Sequence, residues 1–176
     1  MSVRKIRVLL PDAAYLRSCF RYNKRTGILI WKKRPREHFA TQRAFGMWNA
    51  RYAGKEALTA VNTYGHLAGT LDNKKYVAHR VIWKLVTGQE PPHLIDHRNR
   101  KPSDNRWRNF RAATKGQNNI NSSLSRGVSF DKSRGKWAAY TKLNGRKIFL
   151  GRHETERAAR LARISGVREL FGDFAP

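Results

Sequence analysis

Residues 96 to 118 read Asp96-His-Arg-Asn-Arg-Lys-Pro-Ser-Asp-Asn-Arg-Trp-Arg-Asn-Phe-Arg-Ala-Ala-Thr-Lys-Gly-Gln-Asn118. An Asp-His pair is followed twelve residues after the His by Asn109, and nine residues later by Asn118. Such a set can hold one divalent metal ion beside one imidazole, the minimum equipment for hydrolysing a phosphodiester. Six basic residues from Arg98 to Arg111 face a single acid, Asp104. The segment thus pairs a candidate metal site with a surface that attracts a polyanion.

Local patterning gives this stretch a shape. Leu94 and Ile95 deliver Asp96 and His97 at the end of a short strand, and a polar loop follows. Residues 109 to 113 form the returning strand. Thr114-Lys-Gly-Gln117 matches a capping box, in which the Thr hydroxyl takes one free amide and the Gln side chain reaches back. Asn118 is then about one turn into a helix. Strand, strand and helix are expected to bring Asp96, His97 and Asn118 together.

The chemistry follows from the residue types. Asp96 is the natural hard-oxygen anchor for Mg²⁺ or Mn²⁺, and Asn118 adds a neutral amide oxygen. His97 is the candidate general base, because an imidazole with a pKa of about 6.5 is largely neutral near pH 7. Asn109 either orients His97 or fixes the loop.

Composition names the partner. The 176 residues carry 37 Lys and Arg against 12 Asp and Glu, a net charge of +25. Solubility alone needs only about 2–8 net charges on a small domain. No apolar run approaches the roughly 20 residues that span a bilayer, and the basic N-terminus precedes too short an apolar stretch for a secretory leader. Nucleic acid is the expected partner, with no membrane. The lone Cys19 cannot make an internal disulfide or a thiolate zinc cluster. Flanked by Leu16 and Phe20, it reads as a buried thiol in a cytoplasmic protein whose metal has oxygen and nitrogen ligands.

Outside the central stretch, Asp12 is a fair N-cap for a short helix carrying Leu16 and Phe20 on one face. A turn at residues 23–27 leads to a strand at 28–31. Residues 32 to 60 are expected to form a long loop anchored by Phe39, Phe45, Trp48 and Tyr52. Two strands, 66–71 and 74–79, flank an Asp72-Asn73 turn. Ala78, Val81, Ile82, Leu85 and Val86 have the spacing of an amphipathic helix, ended by Gly88. His79, at its start, has no Asp, Glu or Cys neighbour and is given a structural role. Beyond a polar linker at 121–125, three strands (127–130, 136–143 and 146–150) precede a helix that opens near Thr155. Its mostly small apolar face runs through Ala158, Leu161, Ala162, Ser165 and Val167–Leu170. Asn144-Gly145 supplies a tight hairpin turn.

Val77-Ala-His-Arg-Val-Ile-Trp83, Ile95-Asp-His97, Ser103-Asp-Asn105, Arg108-Asn-Phe110 and Gln117-Asn-Asn119 together resemble the HNH endonucleases, nearest to the phage-type homing or free-standing group. The resemblance spans roughly residues 10 to 120, including Trp31-Lys-Lys-Arg-Pro35 and Trp48-Asn-Ala-Arg-Tyr-Ala-Gly-Lys-Glu56. It implies a ββα-metal fold in which His97 activates water, Asp96 and Asn118 bind the single metal, and Asn109 supports the hairpin loop. The third motif position is Asn118, so the last letter of the family name does not apply literally.

The C-terminal part is similar to an AP2-type DNA-binding domain through Arg126-Gly-Val, Gly135-Lys-Trp-Ala-Ala139, Asn144-Gly145, Leu150-Gly151, Thr155-Glu156 and Phe171-Gly-Asp-Phe-Ala175. That likeness implies a three-stranded sheet laid in the major groove. Its candidate contacts are Arg126, Ser129, Lys132, Arg134, Lys136, Trp137, Tyr140, Lys142, Arg146 and Arg152, joined by Arg98 from the central loop. Trp137 serves equally as a core residue, and strand alternation lets only about half the set face one groove.

The expectation is an α+β protein. Residues 1–60 form an accessory region, 61–120 the nuclease module with its core at about 93–120, 121–125 the linker and 126–176 the AP2-like domain. The expected function is a metal-dependent (Mg²⁺ or Mn²⁺) HNH endonuclease acting on double-stranded DNA. As a monomer with one metal it nicks; a double-strand break needs a dimer or a second encounter. The alternatives are an inactive DNA-binding regulator and a structured-RNA binder.

Overall fold

The computed structural model describes residues 9–122, 127–143 and 145–174. Arg126, Asn144, residues 123–125 of the expected linker, Ala175 and the first eight residues lie outside the described residues. Contacts divide the chain into two units, Met1–Arg111 and Ala112–Pro176. No helix among the described residues is long and apolar enough to cross a membrane.

In the first unit, the Asp12 carboxylate accepts from the Tyr15 amide at 2.7 Å and opens helix α1, Ala13–Cys19. Phe20, expected on the helix face, instead begins strand β1 (Phe20–Tyr22), which pairs antiparallel with β2 (Leu29–Trp31). The turn between them braces the central loop. Tyr22 Oη donates to the Asn105 carbonyl at 2.7 Å, and the Trp107 amide donates to the Lys24 carbonyl at 3.0 Å. Gly27 has φ +80°, and a Cβ there would meet Arg106 N at 2.6 Å. Gly27→Ala is therefore expected to destabilise the unit by about 1–3 kcal/mol, measured as a lower urea midpoint at unchanged m-value.

The long loop expected over 32–60 is corrected: it contains helix α2, Gln42–Tyr52, opened by the Thr41 hydroxyl accepting from the Ala44 amide at 3.1 Å. Phe45, Trp48 and Tyr52 lie along the helix at intervals of three and four. Trp48 packs edge-on against Trp31, with centroids 5.0 Å apart, and also meets Phe39 and Tyr52. Buried Arg34 sits over the Trp48 and Phe39 rings and donates to Asp72 at 2.8 Å and to Tyr15 Oη at 2.7 Å.

A three-stranded antiparallel sheet follows in the order β3 (Ala60–Val61), β4 (Leu67–Leu71) and β5 (Lys74–Val77). Asp72 and Asn73 both take positive φ, 48° and 60°, as a tight hairpin turn demands. Strand β5 stops at Val77, so His79 lies within helix α3, Ala78–Thr87, which ends at left-handed Gly88. Ala78, Val81, Ile82 and Leu85 are buried, matching the expected apolar stripe. They share a core with Leu16, Cys19, Phe20, Leu29, Trp31, Leu71, Ile95 and Phe110. Strand β6 (Leu94–His97) pairs with β7 (Phe110–Ala113).

In the second unit, the capping box at Thr114 is formed in both directions. The Gln117 side chain accepts from the Thr114 amide at 2.8 Å, and the Thr114 hydroxyl accepts from the Gln117 amide at 3.2 Å. They open helix α4, Lys115–Ser122. Strands β8 (Val128–Asp131), β9 (Lys136–Leu143) and β10 (Arg146–His153) form an antiparallel sheet with β9 central. Thr155 caps helix α5, Glu156–Phe171, through a 3.1 Å bond from the Ala158 amide. The expected apolar face of α5 holds only in part: Val167 is buried as expected, but Ala159, Arg163 and Gly166 are the residues buried with it, while Leu161 and Leu170 are exposed. Bulk decides this, because a Cβ on Gly166 would lie 2.6 Å from Leu150 Cδ2, so only the least bulky residues fit there.

Candidate active site

Strand β6 carries Asp96 and His97 to its end, and both are buried. A carboxylate inside a protein needs a charged, hydrogen-bonded partner. Asp96 finds one across the hairpin, where Arg111 Nε donates to its Oδ2 at 2.6 Å. Both side chains are shielded from water, so the pair fixes the direction of the carboxylate.

His97 lies among aromatic rings. Phe110 meets it edge-on at 5.2 Å, His79 edge-on at 5.3 Å and His66 at 5.3 Å, tilted by 39°. Burial, reinforced by neighbouring His66, pushes its pKa down to about 4, against the opposing pull of the Asn105 side chain. The ring is therefore a proton acceptor at neutral pH. His79 is driven further, to about 2, first by burial and then by His66, His97 and Arg80. Burial also lowers His66, opposed by the Pro102 carbonyl near its Nδ1 at 3.3 Å.

These shifts make the fold acid-sensitive. Below the ordinary imidazole pKa of about 6.5, the unfolded chain binds protons that folded His79 refuses. Stability present above that pH is lost as pH falls. Between pH 6.5 and 4 the loss from His79 is on the order of 3 kcal/mol. The urea midpoint should fall across this window, and His79→Leu should flatten the fall; an equally steep fall in the variant would assign it to other groups.

The loop between β6 and β7 is held by its own polar side chains. Asn109 Nδ2 donates to Asn99 Oδ1 at 2.9 Å and to the Asp104 carbonyl at 2.8 Å, while its Oδ1 accepts from the Asn99 amide at 3.0 Å. Arg106 Nε donates to Asp104 Oδ1 at 2.8 Å. This bonding to Arg106 holds the Asp104 carboxyl down to about 2. The three side-chain bonds of Asn109 all run to the loop. Arg98 is exposed beside it and bonds through its backbone amide to the Asn109 carbonyl.

Asn118 lies in the second unit, on α4, where its amide donates to the Thr114 carbonyl at 3.0 Å. On the sheet of that unit, Ala139 and Thr141 are buried, so alternation puts Lys136, Ala138, Tyr140 and Lys142 on the opposite face. Register adds Lys147, Phe149 and Arg152, paired with Lys142, Tyr140 and Ala138. Lys147 Nζ stands 3.9 Å from the Tyr140 ring centroid, and the Arg152 guanidinium lies over Phe149. Trp137 falls on the face of Ala139 and packs against Phe130 with centroids 5.3 Å apart. Arg146 shares that side by its pairing with Leu143, and Lys132 and Arg134 sit in the exposed turn between β8 and β9.

Two neighbours of the site, Arg111 and His66, were not singled out from the sequence, nor was Lys147 on the sheet of the second unit. Arg111 was signalled by its place two residues after Asn109 on the returning strand, opposite a buried Asp. His66 approaches from just before β4, some thirty residues away, and nothing local marks it. Lys147 was one more exposed cation until the register placed it opposite Lys142.

Residues 76–120 match the family model described as HNH endonuclease, a segment that takes in α3, β6, β7 and most of α4. The match supports a nuclease of HNH type. No match was found among curated proteins or among solved structures.

Proposed function

We propose that this chain is a metal-dependent HNH endonuclease that nicks double-stranded DNA, with His97 as general base and Asp96 and Asn118 as metal ligands. The observation that carries the reading is a buried His97 beside a guanidinium-held Asp96, on the hairpin inside the HNH-matching segment. The donor set fits a hard ion: Asp96 offers carboxylate oxygen in a direction fixed by Arg111, and Asn118 offers an amide oxygen. Mg²⁺ or Mn²⁺, when bound, supplies charge neutralisation at the phosphate and the leaving oxygen.

The chain's own residues do the rest. His97 takes the proton from water attacking in line with the 3′ oxygen, leaving 5′-phosphate and 3′-hydroxyl ends. Arg111 holds Asp96 in place, and Asn109 keeps the loop shaped so that His97 stays at the hairpin mouth. Exposed Arg98 and its basic neighbours meet backbone phosphates. A single such site cuts one strand per encounter. The phage-type, free-standing or homing character belongs to the same proposal.

In the second unit, the face carrying Lys136, Tyr140, Lys142, Lys147, Phe149 and Arg152 is proposed to contact DNA in the manner of an AP2-like domain. The combined variant Lys142→Ala, Lys147→Ala should weaken duplex binding for all sequences alike. It should also lower the slope of log Kd against log salt by about two. Fluorescence anisotropy on two unrelated duplexes would check this, and an unchanged slope would remove the face from the interface.

Nicking of supercoiled plasmid with Mg²⁺ or Mn²⁺, abolished by chelator, tests the catalytic reading. Tight duplex binding with no cleavage under either metal would instead identify a DNA-binding regulator.

A further inference from the structure

Three histidines from three elements converge beside the proposed base. His66 immediately precedes β4, His79 lies in the first turn of α3 and His97 ends β6. One ring nitrogen from each lies within 4.8 Å of the others. The centroids of His66 and His79 are 4.6 Å apart. Aromatic packing alone would be served better by apolar rings, since each imidazole brings two polar nitrogens into the interior. His79 Nδ1 is buried and has no hydrogen-bond partner among the described residues. The Pro102 carbonyl, an acceptor only, lies 3.3 Å from His66 Nδ1. It fixes the proton on that nitrogen and leaves Nε2 carrying the lone pair. An imidazole donating its second nitrogen to a carbonyl is the usual arrangement of a metal-ligating histidine.

We propose that His66, His79 and His97 hold one borderline divalent transition ion, Zn²⁺ or Co²⁺, separate from the oxygen-ligated Mg²⁺ or Mn²⁺, and that its binding inhibits cleavage by engaging His97. Imidazole nitrogen suits Zn²⁺ and Co²⁺, whereas Mg²⁺ prefers oxygen, so the two kinds of ion sort by hardness between two donor sets. Zn–N bonds of about 2.0–2.1 Å place tetrahedral ligand nitrogens roughly 3.3 Å apart. Closing from 4.8 Å requires a modest swing, and His66 can make it because it is half-buried while His79 and His97 are packed. His66 also gives the ion its route from solvent. Three nitrogen ligands leave a fourth position for water or a phosphate oxygen. An ion there occupies a nitrogen of the base, so Zn²⁺ opposes the Mg²⁺-supported reaction. The inhibitory half rests on the base role of His97; the binding half does not.

The test uses the full chain without a histidine tag. Calorimetry with Zn²⁺ and the visible d–d spectrum with Co²⁺ should each report one equivalent bound. His66→Gln should weaken both by more than roughly tenfold, with a circular dichroism melt to confirm folding. In plasmid nicking at saturating Mg²⁺, added Zn²⁺ should suppress the wild-type rate, and the ratio of rates with and without Zn²⁺ should return toward one in His66→Gln. Absence of stoichiometric binding, or binding unchanged in a folded His66→Gln variant, overturns the site. Intact Mg²⁺ cleavage in that same experiment leaves the endonuclease reading standing. One equivalent bound with no effect on nicking overturns the inhibitory role.

Discussion

Replacing His97 with alanine is expected to lower plasmid nicking by about 10²–10⁴-fold in Mg²⁺, the range that a positioned general base contributes. Duplex affinity should stay close to wild type, because the ring is buried and phosphate attraction comes from the exposed cations around it. The ring is held by Phe110 and His79, so its removal also leaves a cavity. His97→Gln fills most of that space without supplying a comparable base. If both variants lose cleavage while retaining their melting transitions, the loss is chemical. Wild-type cleavage by a folded His97→Ala protein would remove the residue from the mechanism.

The elements most legible in the sequence are those whose determinants sit within one turn of chain. Asp12, Thr114 with Gln117 and Thr155 all cap the helices their identity and spacing announce. Asp72-Asn73 makes its hairpin, and the stripe from Ala78 to Leu85 makes its helix. Helix α2 escaped because its buried residue is polar. Asn49 is enclosed by two bonds with the Arg34 backbone, at 2.9 and 3.1 Å, and Gly46 interrupts the pattern. Hydrophobic periodicity cannot register a helix docked through an amide. The α5 face was partly displaced for a related reason: the closest approach to the sheet selects for small size, and Gly166 wins over leucine. At the site, Asp96 and His97 announce themselves as an adjacent pair. Their environment does not, since the Arg111 contact spans a hairpin and His66 and His79 arrive from other elements.

Arg111 carries the second large expectation. Removing one member of a buried ion pair leaves the other charge without its compensation and costs about 3–5 kcal/mol. Arg111→Met should therefore destabilise the first unit by that order, a large share of the roughly 5–15 kcal/mol that holds a domain folded. Arg111→Lys should fail to restore wild-type behaviour, because the bond to Asp96 Oδ2 comes from a planar guanidinium nitrogen that an ammonium cannot reproduce. The double variant Asp96→Asn, Arg111→Met removes both charges and should recover most of the lost stability, while cleavage stays absent because the carboxylate is gone. Urea unfolding of the wild type, Asp96→Asn, Arg111→Met and the double variant gives the coupling energy directly. Plasmid nicking on the same four proteins then separates holding the fold from holding the ligand. A coupling near zero would mean that Asp96 is oriented by something other than Arg111, and the guanidinium would lose its place in the site.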